Sequence, residues 1–296
     1  MDFSTLVSAL RADKRRGRKK RPLPLVIAGT MLLLAVLVAI FGDFLTPHSA
    51  IQQNLLARLS PPAWMEGGDP RFLLGTDRIG RDMVARLIAG LRISLGVAIV
   101  GTLIGATVGI FIGFLAAHFR GWVEETLMML VDFQASLPFI LIALMVLAFF
   151  GNSFTLFVML MGLQGWDNYA RLARGTVLQA KEQPYIQAVR SLGAGSWRVY
   201  GRHILPNVAS ALIVQLTLNF PQIIVLETSL SFLGLGIRPP LVSLGQILGE
   251  GREYLINAWW IAVWPGILIF ILTLSLSIVG DGLRDRLDPL LRNRTS

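Results

Sequence analysis

The 296-residue chain contains no cysteine, only three histidines, and no more than 15% charged residues. Without cysteine it forms no disulfide and carries no thiolate chemistry. His48, His118 and His203 are isolated and no HExxH sequence is present, so no metal-binding motif can be identified. The GxxxxGK[ST] loop that binds nucleotide phosphates and the GxSxG motif of serine hydrolases are also absent. These absences argue against an enzyme.

Long uncharged stretches dominate the rest of a chain that is 54% hydrophobic. A helix that crosses about 30 Å of hydrocarbon needs about 20 residues. The uncharged stretches are 22–42, 93–119, 133–166, 203–226 and 254–280. The third is too long for one helix, and residues 151–153 (GNS) provide a turn inside it. With spans near 126–150 and 154–172, the sequence predicts an all-α membrane protein with six transmembrane helices.

The net charge of +9 could indicate nucleic-acid binding, but basic segments beside apolar spans are more typical of membrane proteins. Most of the lysines and arginines fall in 1–21, 119–125, 171–203 and 281–296. These segments share one side if the N-terminus is cytoplasmic, so both termini are predicted to be cytoplasmic. The basic run before residue 22 resembles a signal peptide. Because no small-residue cleavage site follows, 22–44 is predicted to be a retained anchor.

The outside segment 45–92 carries two stripes at helical spacing, one apolar and one charged. The stripes are Val84, Leu87 and Leu91, and Arg78, Asp82 and Arg86. They predict a helix that lies at the membrane surface and is capped by Thr76 or Asp77. A solvated loop helix without a direct role is the alternative.

The second predicted span carries a glycine at every fourth position. These glycines are Gly101, Gly105, Gly109 and Gly113. Such spacing leaves a smooth face along which a neighbouring backbone can pack closely in lipid. The pattern predicts a tight helix contact without identifying the partner helix.

Two acids, Asp132 and Glu227, lie in or beside apolar stretches. Carboxylates inside a membrane are costly and are candidates for function. Each lies near enough to the end of its span to reach an interface, so a structural or gating role is favoured over proton relay.

The largest inside loop, 173–206, contains residues that typically begin and end helices. Pro184 suits a first helical turn, and apolar residues then recur at helical spacing until Gly193 and Gly195 end the helix. A second helix is predicted from Ser196 to 205–206, with Trp197, Tyr200 and Ile204 on one side. The aromatic and arginine content is typical of a protein contact surface, and a helix pair resting on lipid headgroups is the alternative.

Residues 184–206 resemble the coupling loop of ABC importer permeases, whose pattern is EAA, three residues, a glycine, and LP at the end. Residues 187–189 (QAV) stand at EAA, Gly193 at the glycine, and 205–206 at LP. Gln187 replaces the acid, so the resemblance implies hydrogen bonding without an ion pair at that position.

Further motifs resemble the second transmembrane subunit of the dipeptide, oligopeptide and nickel permease family. They are 74–77 (LGTD), 80–82 (GRD), 92–95 (RISL), 229–236 (SLSFLGLG), 239–240 (PP), 280–285 (GDGLRD) and 287–289 (LDP). Met129 stands where that family often has an arginine three residues before Asp132. The resemblance therefore leaves Asp132 without its usual neighbour.

The resemblance implies the MetI-like fold of an ABC type I importer transmembrane domain in the bacterial inner membrane. A homologous permease subunit, two cytoplasmic ATPase subunits and an extracytoplasmic substrate-binding protein would complete the transporter. ATP and Mg²⁺ would belong to the ATPases, with no cofactor and no nucleic acid bound by this chain. Peptides are the implied substrates, while nickel chelates, glutathione and opines stay open. A transporter or channel that works without an ATPase is the alternative from another class.

The resemblance also implies two groups of functional residues. Coupling to the ATPase would involve Tyr185, Gln187, Ala188, Arg190, Leu192, Gly193 and Trp197. The outer gate or binding-protein contact would involve Asp77, Arg81, Asp82, Arg86, Phe232, Pro239 and Pro240. The expected layout is a basic cytoplasmic segment 1–21, a first span 22–44, an extracytoplasmic segment 45–92, a permease core 93–280 and a cytoplasmic tail 281–296.

Overall fold

The computed structural model describes residues 23–287, where the regular elements are helices and one isolated antiparallel bridge between Thr76 and Asp82. The predicted basic segment 1–21, residue 22 and the tail from 288 to 296 lie outside the described residues. The helices are α1 (Leu23–Phe41), α2 (Met83–Phe119), α3 (Gly121–Ser136), α4 (Phe139–Phe150), α5 (Phe154–Gly162), α6 (Trp166–Lys181), α7 (Pro184–Ser191), α8 (Ser196–Phe232), α9 (Leu244–Gly251) and α10 (Trp260–Leu287). Short 3-10 turns occupy Gly42–Phe44, Leu55–Ala57 and Arg252–Tyr254.

Four helices in this part of the chain are long and apolar enough to cross a membrane. They are α1 with its following turn, α2, α8 and α10. The pair α3 and α4 passes the same criteria together, but its two helices are bent by 88°. The described residues thus give four candidate spans, or five if the bent pair counts as one. The predicted number of six is not confirmed.

Two helix breaks account for the difference. Pro138 has no N–H and its ring disfavours a helical conformation at Leu137, which is extended at φ −105° and ψ 134°. The predicted span 126–150 is therefore split into α3 and α4. The predicted span 154–172 is split at Gly165, whose φ of 78° is left-handed. The resulting helices, α5 with 9 residues and α6 with 16, are each shorter than a span requires.

The long loops of the described chain lie at one end of the bundle, which we call the long-loop end. It comprises residues 42–82, 151–153 and 233–259. Asn152 donates a hydrogen bond to the carbonyl of Leu235 at 2.8 Å. Trp260 donates through Nε1 to the carbonyl of Thr76 at 3.0 Å. These bonds connect segments that are far apart in sequence, so the loops share one end of the molecule.

The opposite end carries a helical projection, Pro184–Ile204, which we call the knob. There the hydroxyl of Tyr200 lies 3.1 Å from Nδ1 of His118. Lys181 donates a hydrogen bond to the carbonyl of Ala117. Because 117 and 118 belong to the last turn of α2, the knob lies at the end of the bundle where α2 terminates.

Helix α2 is continuous over 37 residues, so the predicted surface helix and the second predicted span are one helix. Asp82 is its N-cap, since the carboxylate accepts hydrogen bonds from the N–H groups of Val84 at 3.3 Å and Ala85 at 3.1 Å. The expected caps, Thr76 and Asp77, instead bind groups within the preceding loop. The prediction placed the helix start too early because both positions precede a turn that the local pattern does not show.

The glycine stripe of α2 lies against α5 and α6. A Cβ at Gly105 would come within 2.7 Å of the carbonyl oxygen of Gly162. At Gly101, Gly109 and Gly113, a Cβ would press on Met161, Trp166 and Ala170 respectively. The structure therefore identifies the helices that pack on this stripe.

Replacing Gly109 with alanine is expected to destabilise the protein by about 1–3 kcal/mol, because the added methyl group would overlap backbone atoms. Gly96→Ala on the same helix is the matched control, since nothing lies within 4 Å of a Cβ there. Alanine also favours a helix over glycine. Unfolding of both variants in mixed detergent micelles measures the difference. Equal loss of stability in the two variants would contradict a close packing role for the stripe.

Candidate functional site

The knob is formed by two helices that meet at a glycine turn. Pro184 occupies the first turn of α7, as the sequence predicts. The helix ends in a Schellman motif: the N–H of Gly193 donates to the carbonyl of Arg190 at 2.9 Å, and that of Ala194 to Val189 at 3.3 Å. Gly193 has φ +81°, a value that side chains disfavour. This residue therefore sets the direction in which the chain leaves α7.

One side of the knob is fixed to the bundle by apolar packing. Ile186, Val199 and Ile204 are fully buried against a cluster that includes Ala173 and Val177 of α6. Burial of such side chains contributes roughly 1.5–3 kcal/mol each. The knob is therefore attached to the helix that leads into it.

The other side of the knob is exposed. All of the residues expected to contact an ATPase lie on it: Tyr185, Gln187, Ala188, Arg190, Leu192, Gly193 and Trp197. Trp197 is 93% exposed and Leu192 is 87% exposed. Large apolar side chains that project in this way mark a surface available for contact.

The second helix of the knob differs from its prediction. Trp197 is exposed whereas Ile204 is buried, so these residues do not share one face. The helix also does not stop at 205–206: it is the first part of α8, and it includes a π-helical segment, Val199–Ile204. This segment ends two residues before Pro206, which has no N–H to donate, and the N–H of Leu205 bonds five residues back to the carbonyl of Tyr200.

At the long-loop end, four charged side chains form a buried network. Oδ2 of Asp77 lies 2.5 Å from Nε of Arg81 and 2.5 Å from Nη1 of Arg86. Oε2 of Glu250 lies 3.1 Å from Arg81 and 2.9 Å from Arg86. Arg86 is fully buried and Asp77 is 1% exposed. The network joins the first long loop, the start of α2 and the short helix α9.

Four residues of the predicted outer gate or binding-protein contact lie in or beside this network. Asp77, Arg81, Asp82 and Arg86 are all buried, so in this conformation they offer no surface to a binding protein. Phe232 is partly buried, while Pro239 and Pro240 are exposed. No local pattern indicates Glu250, which lies more than 160 positions after the arginines that it binds.

The two membrane acids have different surroundings. Glu227 is fully buried rather than near an interface, and it accepts hydrogen bonds from Ser94 at 2.9 Å and Ser231 at 2.7 Å. Ser94 in turn accepts the N–H of Leu244 at 3.2 Å. Glu227 therefore links α2, α8 and the beginning of α9.

Asp132 lies on the surface of the described chain, 72% exposed, with its Oδ1 3.4 Å from Nε of Arg171 on α6. A second ion pair, Arg174 with Glu124 at 2.5 Å, joins the same two helices. The partner of Asp132 is thus an arginine from another helix. Val131 is the one residue of α3 that is buried within the described chain.

Solved structures define the class of protein. A subunit of the MetNI methionine ABC transporter, in an inward-facing structure, aligns with a TM-score of 0.57 and 20% identity over 70% of this chain and 98% of that chain. An amino acid ABC transporter crystallised with histidines aligns with a TM-score of 0.54 and 18% identity over 68% and 93%. The fold is that of an ABC importer transmembrane subunit.

Residues 109–293 match the family model "Binding-protein-dependent transport system inner membrane component". The chain is 38% identical over 262 residues to a di/tripeptide transport system permease protein of Pseudomonas aeruginosa, covering 88% of this chain and 86% of that protein. It is 36% identical to a glutathione transport system permease protein of Pectobacterium atrosepticum, covering 90% and 87%. The chain belongs to the family of binding-protein-dependent inner-membrane transport components. It is a multi-pass permease of the inner membrane.

Proposed function

We propose that this chain is one permease subunit of an ATP-driven importer for peptides or a related small solute. The observation that carries the proposal is the knob, whose buried side is fixed to α6 while its exposed side presents Trp197 and Leu192. Relatives at 36–38% identity are named as permeases for di- and tripeptides and for glutathione. A glutathione importer of the same family is therefore the second candidate function. Nickel chelates and opines are further candidate substrates.

The transporter would contain a homologous second permease, two cytoplasmic ATPases that bind ATP and Mg²⁺, and an extracytoplasmic binding protein. Each ATPase would hold one knob. A ligand shifts a conformational equilibrium only when it binds the two states differently. The ATPase contact must therefore differ between the inward-facing and outward-facing states, and knob movement would reach the bundle through α6, against which the knob packs, and through α8, with which it is continuous.

The orientation in this proposal places the knob end in the cytoplasm and the long-loop end outside. Four of the five arginines between 71 and 92 have acidic partners, which reduces their conflict with the positive-inside rule. Arg71 pairs with Asp69 at 2.6 Å and Arg92 with Asp43 at 2.9 Å, while Arg81 and Arg86 belong to the buried network. Hydrogen bonding from the Arg71 side chain lowers the pKa of Asp69, which keeps that carboxylate ionised.

We further propose that α5 and α6 together provide a membrane crossing. Asn152, just before α5, is bound at the long-loop end, whereas Lys181, at the end of α6, is bound at the knob end. The chain between them must therefore traverse the bundle. Non-helical backbone at Gly165 is tolerable there because it is buried within protein, next to Asn219. With the bent pair α3 and α4, the arrangement would reach six crossings.

Reconstitution tests the function. The chain, its partner permease and the two ATPases are placed in proteoliposomes, with the binding protein and labelled dipeptide outside. We expect uptake that requires ATP, both ATPases and the binding protein. Uptake by the permeases alone, driven by an ion gradient, would instead assign the chain to the ATPase-independent transporters.

A further inference from the structure

A cavity of about 360 Å³ opens at the long-loop end, between the end of α8 and the short helix α9. Its apolar wall includes Phe232, Ile237 and Pro239, and its polar wall includes Gln246 and Tyr254. The space admits one or two side chains from another molecule.

The charges around this cavity are unbalanced. The carboxylate of Glu250 is already bound by Arg81 and Arg86. The other charged residues that line the cavity are Arg78, Arg238, Arg252 and Glu253. Within residues 23–287, none of these three guanidinium groups takes part in an ion pair. All three arginines are exposed, so the cavity has an excess of positive charge facing solvent.

The walls of the cavity are held in place by contacts with the rest of the protein. Glu250 anchors α9 to the buried network, and the hydroxyl of Ser243 accepts the N–H of Gln246 at 3.2 Å to cap the same helix. The opposite wall is fixed by the bond from Asn152 to Leu235. The cavity is thus preformed, which lowers the entropic cost of filling it.

An apolar projection stands beside the arginines. Leu255 is 52% exposed and Ile256 is 95% exposed, directly after the turn that carries Arg252 and Glu253. Arginine is enriched at protein interfaces, and its planar fork binds carboxylates through two parallel hydrogen bonds. A basic cavity next to exposed aliphatic side chains therefore suits a protein surface that bears a carboxylate.

We propose that this arginine cavity, lined by Arg78, Arg238 and Arg252, is the docking site for a carboxylate-bearing segment of the extracytoplasmic binding protein. The inference rests on the proposed function, which places a binding protein at the long-loop end. An aspartate or glutamate of that protein enters the cavity, while Leu255 and Ile256 contact its apolar surface. Glu250, which also lines the cavity, connects the site to the buried network.

Charge reversal tests the site in the complete transporter, reconstituted in nanodiscs with labelled binding protein. We expect Arg238→Glu and Arg252→Glu each to raise the Kd of the binding protein about tenfold or more, because like charges then face each other. The steepness of the salt dependence should fall in both variants, since fewer charges attract the partner. Arg71→Glu is the matched control, because Arg71 is equally charged, lies at the same end and is outside the cavity. It should leave the Kd unchanged.

Two comparisons make every outcome decisive. If the binding protein does not stimulate ATP hydrolysis by the wild-type transporter, the proposed function fails. If it does stimulate hydrolysis but charge reversal leaves its Kd unchanged, only the docking site is overturned. The titration is repeated with substrate-free binding protein. Loss of affinity confined to the substrate-loaded form would assign the carboxylate to the substrate and overturn the proposal. Arg238→Lys, which keeps the charge, should bind nearly as well as wild type, and thermal unfolding of each variant checks that the fold persists.

Discussion

Replacing Trp197 with alanine is expected to weaken binding of the ATPase to the permease by at least about 30-fold and to lower ATP-driven uptake accordingly. The side chain is 93% exposed on the knob, so the fold loses almost no packing when it is removed. A partner that covers this side chain loses the contact of an aromatic anchor, which at interfaces is typically worth 2 kcal/mol or more. Titration of ATPase onto nanodisc-embedded permease measures the affinity, and proteoliposome uptake measures the transport.

Trp122→Ala is the matched control for this variant. Trp122 is 78% exposed and belongs to the first turn of α3, outside the knob. We expect it to retain ATPase binding.

Gly193→Pro provides an independent test, because proline cannot adopt the φ of +81° found at this position. Normal uptake by both knob variants would show that force does not enter the bundle through this surface.

Replacing Arg86 with methionine is expected to lower the free energy of unfolding by about 3–5 kcal/mol. The guanidinium is fully buried between Asp77 and Glu250, and its removal leaves their carboxylates with only Arg81 as counter-charge. Breaking a buried ion network by removing one partner is far more costly than breaking an exposed one. Equilibrium unfolding in mixed micelles measures the loss.

Two further variants distinguish loss of the buried ion network from the general effect of removing a charge. Arg71→Met removes an equal charge from an exposed pair with Asp69 and is expected to leave stability unchanged. Glu250→Gln in the Arg86→Met background should cost less than it does alone, because the two residues interact directly. Additive losses in the double variant would show that the arginine acts independently of Glu250.

Several local features of this fold could be predicted because each depends on residues close together in sequence. Pro184 and Gly193 mark the ends of α7, and both effects follow from the allowed φ of single residues. The glycine repeat of α2 similarly predicts a packing face from helical periodicity. The residues predicted to couple to the ATPase were chosen through a resemblance of short motifs, and the structure places each of them in an exposed position.

Other features were missed because they depend on distant segments. The local sequence around Arg86 resembles a surface helix, and only packing against α9 buries it beside Glu250. Glu227 was expected near an interface, yet Ser94 and Ser231 enclose it. The partner of Asp132 comes from α6, which no neighbouring residue indicates.

By itself, the sequence determined that the chain is an apolar, helical membrane protein and that Pro184 and Gly193 mark the two ends of a short helix, since these depend on local composition and on the allowed conformations of single residues. Only the tertiary structure decided that α5 and α6 pack on the glycine stripe, that Arg81 and Arg86 are paired with acids inside the protein, and that Arg78, Arg238 and Arg252 remain free of ion pairs around a cavity within residues 23–287. The physical reason is that burial and ion pairing depend on the spatial distance between segments, some of which are more than 160 residues apart in sequence. No local pattern encodes such distances.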